Sequence, residues 1–189
     1  KAYLIESNLP VTDVTCPVGQ WGVLDAQHWY ANRGGGAPGS LFLDTTRERV
    51  WILYSLLGAG ESDTILNKWI TDVHGLDRCW LSRNQMLHLA KVEGWHQKGL
   101  GLKFSDGLSP EEDAGNFSLK AWYGANQHLQ GIDDILNRAK EQFAIYSSRW
   151  QKIENGTVRI SAEWYSNGKV TINKAEDVDE VFLFVSEMA

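Results

Sequence analysis

The chain has 189 residues, a net charge of −6 and a pI near 5.3. This length suits a single domain of residues 1–189 with its own core. Its basic residues are scattered, whereas a nucleic-acid surface needs clustered Lys and Arg, so we expect no nucleic-acid partner. No apolar run approaches the roughly 18–20 residues of a membrane span, and we expect no membrane partner either.

The first part of the chain predicts strands and one amphipathic helix. Strands at 41–44 and 50–54 flank a polar stretch of hairpin length. Apolar residues then recur at three- and four-residue steps, which predicts a helix over 62–75. Residues 78–81 predict the next strand. Residues 21–30 follow no clean period, so the sequence does not decide their structure.

The second part begins with a capping box, Ser82-Arg83-Asn84-Gln85, which predicts the start of a short helix. A 3.6-residue apolar period predicts a longer helix over 132–150. The turn at 166–168 (Ser-Asn-Gly) predicts a hairpin that follows a strand at 157–165. The apolar run 181–185 predicts a last strand that closes the sheet.

This order of elements predicts an α+β fold, with a mixed, largely antiparallel sheet and the helices on one face. Residues 63–68 and 133–138 share four identities. If this echo records a duplication, two βα-containing halves lie at about 41–105 and 116–189 within the single domain. The alternative is that four identities in so short a stretch arise by chance.

The cysteines indicate a reducing compartment. Cys16 and Cys79 lie outside any CxxC pattern, and free thiols are typical of intracellular proteins, so we expect a cytoplasmic protein. Residues 72–79 bring together Asp, His and Cys side chains, but none of the ligand spacings of zinc or iron sites is present. We therefore predict no metal and no cofactor.

Tryptophan is the unusual feature of the composition, with nine in the chain. Such large rings either fill the core or line a pocket. Trp51, Trp80 and Trp122 fall on predicted strands. Because cores are densely packed, three indoles do not fit easily between a sheet and its helices, so we expect at least one to turn to the other face.

Alternation along the strand 157–165 places Glu163 and Tyr165 on one face, together with Arg159. If that face is solvated, Glu163 pairs with Arg159. If it is a concave groove, a carboxylate beside aromatic rings suits a flat organic cation. The candidate ligand-binding residues are then Glu163, Tyr165, Trp122, Trp80 and Trp51.

The order of elements is similar in outline to duplicated α+β effector-binding domains, and this resemblance implies a cationic organic ligand held between two halves. The sequence thus favours a soluble binding or regulatory domain for a small organic ligand or a protein partner. Two alternatives stay open. One is a hydrolase whose site is assembled from His74, His88, His96 and nearby acids, and the other is a structural interaction module of a larger protein.

Overall fold

The computed structural model describes residues 1–32, 40–87, 93–104, 117–122, 138 and 143–188. The strands are β1 (Ala2–Ser7), β2 (Gln20–Val23), β3 (His28–Asn32), β4 (Leu41–Asp44), β5 (Val50–Ser55), β6 (Leu76–Arg78), β7 (Trp95–Phe104), β8 (Phe117–Trp122), β9 (Ala144–Glu154), β10 (Thr157–Tyr165) and β11 (Lys169–Ala175). The helices are α1 (Ala59–Asp72), α2 (Arg83–Met86) and α3 (Val178–Met188), and a 3-10 turn lies at Val11–Asp13. Strands dominate and their pairing is mostly antiparallel, which confirms the α+β class.

The chain forms two compact units. Unit 1 contains Lys1–Trp80, Gly168–Thr171 and Phe182–Ala189. Its strands follow the order β2-β3-β4-β5-β1, and β6 and the first residues of β11 pair with β1. The pairing of β1 with β5 is antiparallel, with Leu4 opposite Ile52, and both residues are buried.

Helix α1 packs against the core of unit 1. Leu66 and Trp69 are buried, as the predicted apolar stripe requires. The indole Nε1 of Trp69 donates to the carbonyl oxygen of Thr15 at 2.7 Å, so this large ring is buried with its polar atom satisfied. The helix predicted over 62–75 is therefore confirmed, although it begins three residues earlier, at Ala59.

Unit 2 contains Leu81–Asn167 and Ile172–Val181. Its strands follow the order β10-β9-β7-β8, all antiparallel, with β11 beside β10. The short helix α2 has the predicted capping box, since the Ser82 hydroxyl accepts from the backbone N–H of Gln85 and the Gln85 side chain accepts from the backbone N–H of Ser82. The predicted hairpin between β10 and β11 is also present.

The helix predicted over 132–150 is wrong for residues 144–150, which belong to strand β9. Ile145, Ser147, Ser148 and Trp150 are all buried there. A bulge at Tyr146 interrupts the alternation, so the buried Ser147 and Ser148 are neighbours and the period-two signal of a strand is lost. Residues 132–137 and 139–142 of the predicted helix lie outside the described part of the chain.

The strand predicted at 181–185 is also wrong, because these residues belong to helix α3. A short apolar run does not by itself distinguish a buried strand from a helix. The residues that indicate the start of a helix lie just before this apolar run. Asp179 and Glu180 occupy the first turn of α3, where carboxylates suit the helix dipole, and the Asp177 carboxylate accepts from the backbone N–H of Asp179 at 3.0 Å.

The structure does not confirm the duplication. Residues 133–137 of the echo lie outside the described residues, and the shared face of the helices stays a prediction. Cys16 and Cys79 are free thiols. Within the described ranges, no helix combines the length and the apolar character that crossing a membrane requires.

Candidate functional site

Three of the predicted site residues come together in unit 2, around a lysine that sequence analysis did not select. The ammonium nitrogen Nζ of Lys120 lies 3.2 Å from Oε1 of Glu163. The same nitrogen lies 5.9 Å from the ring centroid of Trp122 and 5.6 Å from those of Tyr146 and Tyr165. We call these five residues the Lys120 cage.

Strand register assembles the cage. Residues opposite one another form two rows across β8, β7, β9 and β10, which are Lys120–Gly101–Ser147–Tyr165 and Trp122–Gly99–Arg149–Glu163. A Cβ atom at Gly101 would lie 2.3 Å from the Ser147 hydroxyl oxygen and 2.8 Å from the Tyr146 ring. A Cβ atom at Gly99 would lie 2.7 Å from the Trp122 ring. Both rows therefore need glycine on β7.

A β-bulge brings Tyr146 to the same face of the sheet. Gly101 lies opposite Ser147, but Leu102 lies opposite Ile145, so Tyr146 is an extra residue in β9. Such a residue is not bound by strict alternation, and its side chain turns toward Lys120. Sequence analysis missed Tyr146 because it placed this stretch in a helix.

The electrostatics of the cage favour a cation. Burial alone would lower the pKa of Lys120, but the hydrogen bond and the charge of Glu163 outweigh it and raise the pKa. Burial, followed by the charge of Glu163, raises the pKa of the Tyr165 phenol. The Arg149 guanidinium lies 4.6 Å from the centroid of Trp122. The small space lined by Lys120, Trp122, Arg149 and Glu163 does not admit a water molecule.

The other predicted site residues belong to unit 1. Trp51 is 2% exposed and lies in the core of that unit. Trp80 is 65% exposed and follows β6, which ends at Arg78, so its predicted place on a strand is wrong. The alternative pairing of Glu163 with Arg159 is not observed. Arg159 instead forms ion pairs with the glutamates Glu154, Glu176 and Glu180.

Unit 1 contains a cavity of about 340 Å³. The aromatic side chains that line it are Trp29, Phe42, Tyr54 and Phe182. The rings of Tyr54 and Phe182 meet edge to face, with centroids 4.6 Å apart. The indole Nε1 of Trp29 is buried without a hydrogen-bond partner among the described residues. We call this the aromatic cavity.

One side of the aromatic cavity is acidic. Nδ1 of His28 lies 2.8 Å from Oδ2 of Asp25, and Nε2 lies 3.8 Å from Oδ1 of Asp44. Two carboxylates flank one imidazole, so the group is negative whether or not His28 is protonated. Burial raises the pKa of Tyr54 well above its usual range, and the negative charge of Asp44 raises it further. The potential in the cavity therefore disfavours anions.

The sequence contained a signal for this site. Asp25 and His28 are three residues apart in the turn between β2 and β3, where the Asp25 carboxylate also accepts from the backbone N–H of Gln27. Together with the charge and hydrogen bond of His28, this contact lowers the pKa of Asp25. An Asp three residues before a His is typical of a turn held by its own side chains, but it does not reveal the pairing of His28 with Asp44 across strands.

The hydrolase site assembled from His74, His88, His96 and nearby acids stays a prediction. His74 follows α1 in unit 1, His96 lies on β7 in unit 2, and His88 is outside the described part of the chain. In the ranges that the structure describes, no three or more His, Cys, Asp or Glu side chains are grouped as metal ligands would be.

Comparison with known proteins identifies the family. No curated protein matches the chain, and no solved structure matches it. The family model described as MJECL33-like protein matches residues 1–189, which is the full length of the sequence. A match over more than half of a chain establishes membership, and this protein belongs to the MJECL33-like family.

Proposed function

We propose that this protein is a ligand-binding domain whose aromatic cavity in unit 1 holds a small organic molecule with a basic nitrogen. The observation that carries the proposal is an apolar space of about 340 Å³ with carboxylates along one side. Ligand pockets usually measure about 300–1,000 Å³ and combine an apolar lining with a few placed polar groups. The aromatic cavity has both properties.

The lining decides the kind of ligand. The rings of Trp29, Phe42 and Tyr54 offer flat apolar surfaces for an aromatic or heterocyclic body. A protonated nitrogen gains from the charge of Asp44 and from the ring faces. The buried Nε1 of Trp29 donates to an oxygen or nitrogen acceptor on the same molecule, provided that the ligand reaches it.

The aromatic cavity supports this function better than the Lys120 cage does in the conformation observed. The predicted cleft at Glu163 has the required chemistry, with three rings and a carboxylate around a cation. The space beside Lys120 and Glu163 does not admit even a water molecule. The aromatic cavity has room for a molecule of fragment size without any displacement of the chain.

A thermal-shift comparison of three matched probes tests the proposal. We expect tryptamine to raise the melting temperature most, indole to raise it less, and indole-3-acetate to leave it unchanged, because at equal concentration the ligand with the lower dissociation constant stabilises the folded state more. Asp44→Asn removes the charge and should abolish the advantage of tryptamine over indole. Asp72→Asn, at an exposed position of α1, is the matched control and should leave the order of the probes unchanged.

Two outcomes contradict the proposal. One is that no probe shifts the melting temperature at concentrations up to the millimolar range. The other is that indole-3-acetate stabilises the protein as well as tryptamine does, since an acidic cavity cannot favour an anion. A shift by tryptamine that survives Asp44→Asn unchanged would place the amine elsewhere.

A further inference from the structure

The Lys120 cage has the features of a recognition site for an organic cation. Aromatic ring faces attract cations, and three of them lie within 6 Å of the Lys120 ammonium. The carboxylate of Glu163 completes the site at 3.2 Å. The cation now in the site is covalently part of the chain. We propose that the Lys120 cage is a second ligand site, which takes an organic ammonium group when the Lys120 side chain swings out.

The charge of Glu163 is the reason that the site favours a cation. The residue is only 8% exposed, and a carboxylate so far removed from water needs a charged or hydrogen-bonding partner. When Lys120 withdraws, the Glu163 carboxylate keeps the Tyr165 phenol as a neighbour but loses the ammonium that pairs with it at 3.2 Å. An incoming ammonium group replaces that ion pair, while the Arg149 guanidinium stays beside Trp122.

Lys120 can leave the cage without disrupting the sheet. Its side chain is 39% exposed, and the neighbouring Trp122 is 51% exposed, so the cage faces solvent. The ammonium group lies at the end of a flexible four-carbon side chain, so it can move while the backbone stays in place. Rotation of that side chain empties the cage, while the backbone pairing of β8 with β7 is retained.

The cage also selects among cations. The carboxylate of Glu163 accepts a hydrogen bond, which favours an ammonium group with at least one N–H over a quaternary one. The rings of Trp122, Tyr146 and Tyr165 favour methyl groups on the nitrogen. Free mono-, di- or trimethylammonium combines these properties, as does a mono- or dimethylated ammonium group at the end of a side chain, because each keeps at least one N–H.

Lys120 then acts as a tethered competitor. The apparent dissociation constant for an external ammonium rises in inverse proportion to the open fraction, so a cage open in about one molecule in a hundred weakens binding about a hundredfold. Removal of Lys120 should therefore tighten binding without any new contact. This inference concerns unit 2 and stands or falls separately from the function proposed for unit 1.

Calorimetric titration with trimethylammonium chloride tests the competition. Lys120→Met should bind the probe at least about tenfold more tightly than the wild-type protein, because the tethered ammonium is gone. Glu163→Gln in the Lys120→Met background should lose the gain. Lys103→Met, an exposed position on β7, is the matched control and should behave as wild type. Equal affinity of Lys120→Met and wild type overturns the proposal, as does a gain that persists with Glu163→Gln.

A labelling experiment on the wild-type protein covers the case in which Lys120→Met fails to fold. Acetylation by a soluble N-hydroxysuccinimide ester, read by mass spectrometry, reports how often each lysine is free. Trimethylammonium should raise the labelling of Lys120 relative to Lys103, whereas sodium chloride at the same concentration should not. An unchanged ratio at saturating trimethylammonium shows that Lys120 does not exchange, and the cage is then only a structural ion pair.

Discussion

At the scale of single residues, Asp63 shows how a carboxylate on a helix is tied to the sheet of unit 1. The hydroxyl of Tyr3 donates to Oδ1 of Asp63 at 2.7 Å, and the Lys169 ammonium pairs with Oδ2. Burial acts to raise the pKa of Asp63, but the hydrogen bonds and the charge of Lys169 outweigh it and lower the pKa. Asp63 thereby joins α1 to β1 and β11.

The sign of this shift predicts a pH dependence of stability. A carboxylate whose pKa is lower in the folded state contributes stability above its unfolded-state pKa of about 4 and loses it as the pH falls through the folded-state value. The free energy of unfolding, measured with urea, should therefore fall less steeply below about pH 4 in Asp63→Asn than in the wild-type protein. Asp72→Asn, in an exposed pair with Lys68, should leave that decline as in wild type. An equally steep decline in Asp63→Asn would contradict the assignment.

A substitution of Tyr3, the donor to Asp63, tests the same hydrogen bond. Tyr3→Phe keeps the buried ring and removes the donor, so it should cost about 1 kcal/mol at pH 7, less than the usual 1.5–3 kcal/mol or so for a hydrogen bond to a charged group because Asp63 is partly exposed. Urea denaturation measures this loss. The loss should shrink in the Asp63→Asn background, since the amide oxygen that replaces the carboxylate is a neutral and weaker acceptor, and a loss of the same size there would argue against the contact.

Some residues of the site could be predicted from the sequence and others could not. Glu163 and Tyr165 could be placed on one face because alternation depends only on neighbours along the strand. Lys120 could not be found, because its partner is three strands away and the pairing depends on the registers of β8, β7, β9 and β10. A lysine among aromatic residues has no local signature that distinguishes it from an exposed one.

At the scale of elements, strand β7 makes room for the cage because two of its residues are glycines without side chains. Glycine is usually unfavourable within a strand, yet Gly99 and Gly101 alternate on the face that bears Lys120. Their missing side chains leave the surface over which Trp122 and Tyr146 lie. The alternation of small and apolar residues along β7 thus reflects a crowded sheet surface.

Two alanine substitutions separate this role from the general effect of glycine. Gly101→Ala should destabilise the protein by about 1–3 kcal/mol, because its Cβ would overlap the Tyr146 ring and buried Ser147. Gly60→Ala has open space around it within α1 and should stabilise the protein by about 0.4–1 kcal/mol. Urea denaturation measures both. A neutral Gly101→Ala would show that β7 shifts freely and that the cage is not tightly packed.

Helix α3 is held at its start by one side chain of β10. Arg159 sits at a bulge in β10 and pairs with Glu176 and Glu180, at the beginning of the helix. Arg159→Met should therefore speed amide hydrogen exchange in α3 and leave exchange in β1 unchanged, since local opening is independent of global unfolding. Lys103→Met, at an exposed position on β7, is the control. The effect should shrink at high salt because exposed ion pairs are screened.

The elements that the sequence predicted correctly are those with a clear one-sided pattern. Helix α1 has an apolar stripe on one face, and the hairpin after β10 has its turn residues. Strand β9 lacks such a pattern, and in α3 the unbroken apolar run 181–185 hides the helical spacing of the buried Phe184 and Val185. In β9 a bulge at Tyr146 interrupts the alternation, so the spacing of the aromatic residues 143, 146 and 150 resembles that of a helix.

At the scale of the whole molecule, the nine tryptophans serve different purposes. Trp51, Trp69, Trp95, Trp150 and Trp164 are buried, whereas Trp80 and Trp122 are more than half exposed. The composition predicted both uses, but it could not assign them. Burial on one face of a strand depends on what the rest of the chain places there, which the strand itself does not encode.

The exposed tryptophans give a prediction that combines local and global charge. With a net charge of −6, the protein as a whole repels iodide and attracts caesium. Trp122 lies beside the cations Lys120 and Arg149, so iodide should quench its fluorescence more strongly than caesium does. Trp122→Phe should therefore remove most of the iodide-sensitive emission, and Trp80→Phe should leave that part in place. If Trp122→Phe leaves iodide quenching unchanged, then Trp122 does not lie in an exposed, cationic environment, and the Lys120 cage described for unit 2 is not formed in solution.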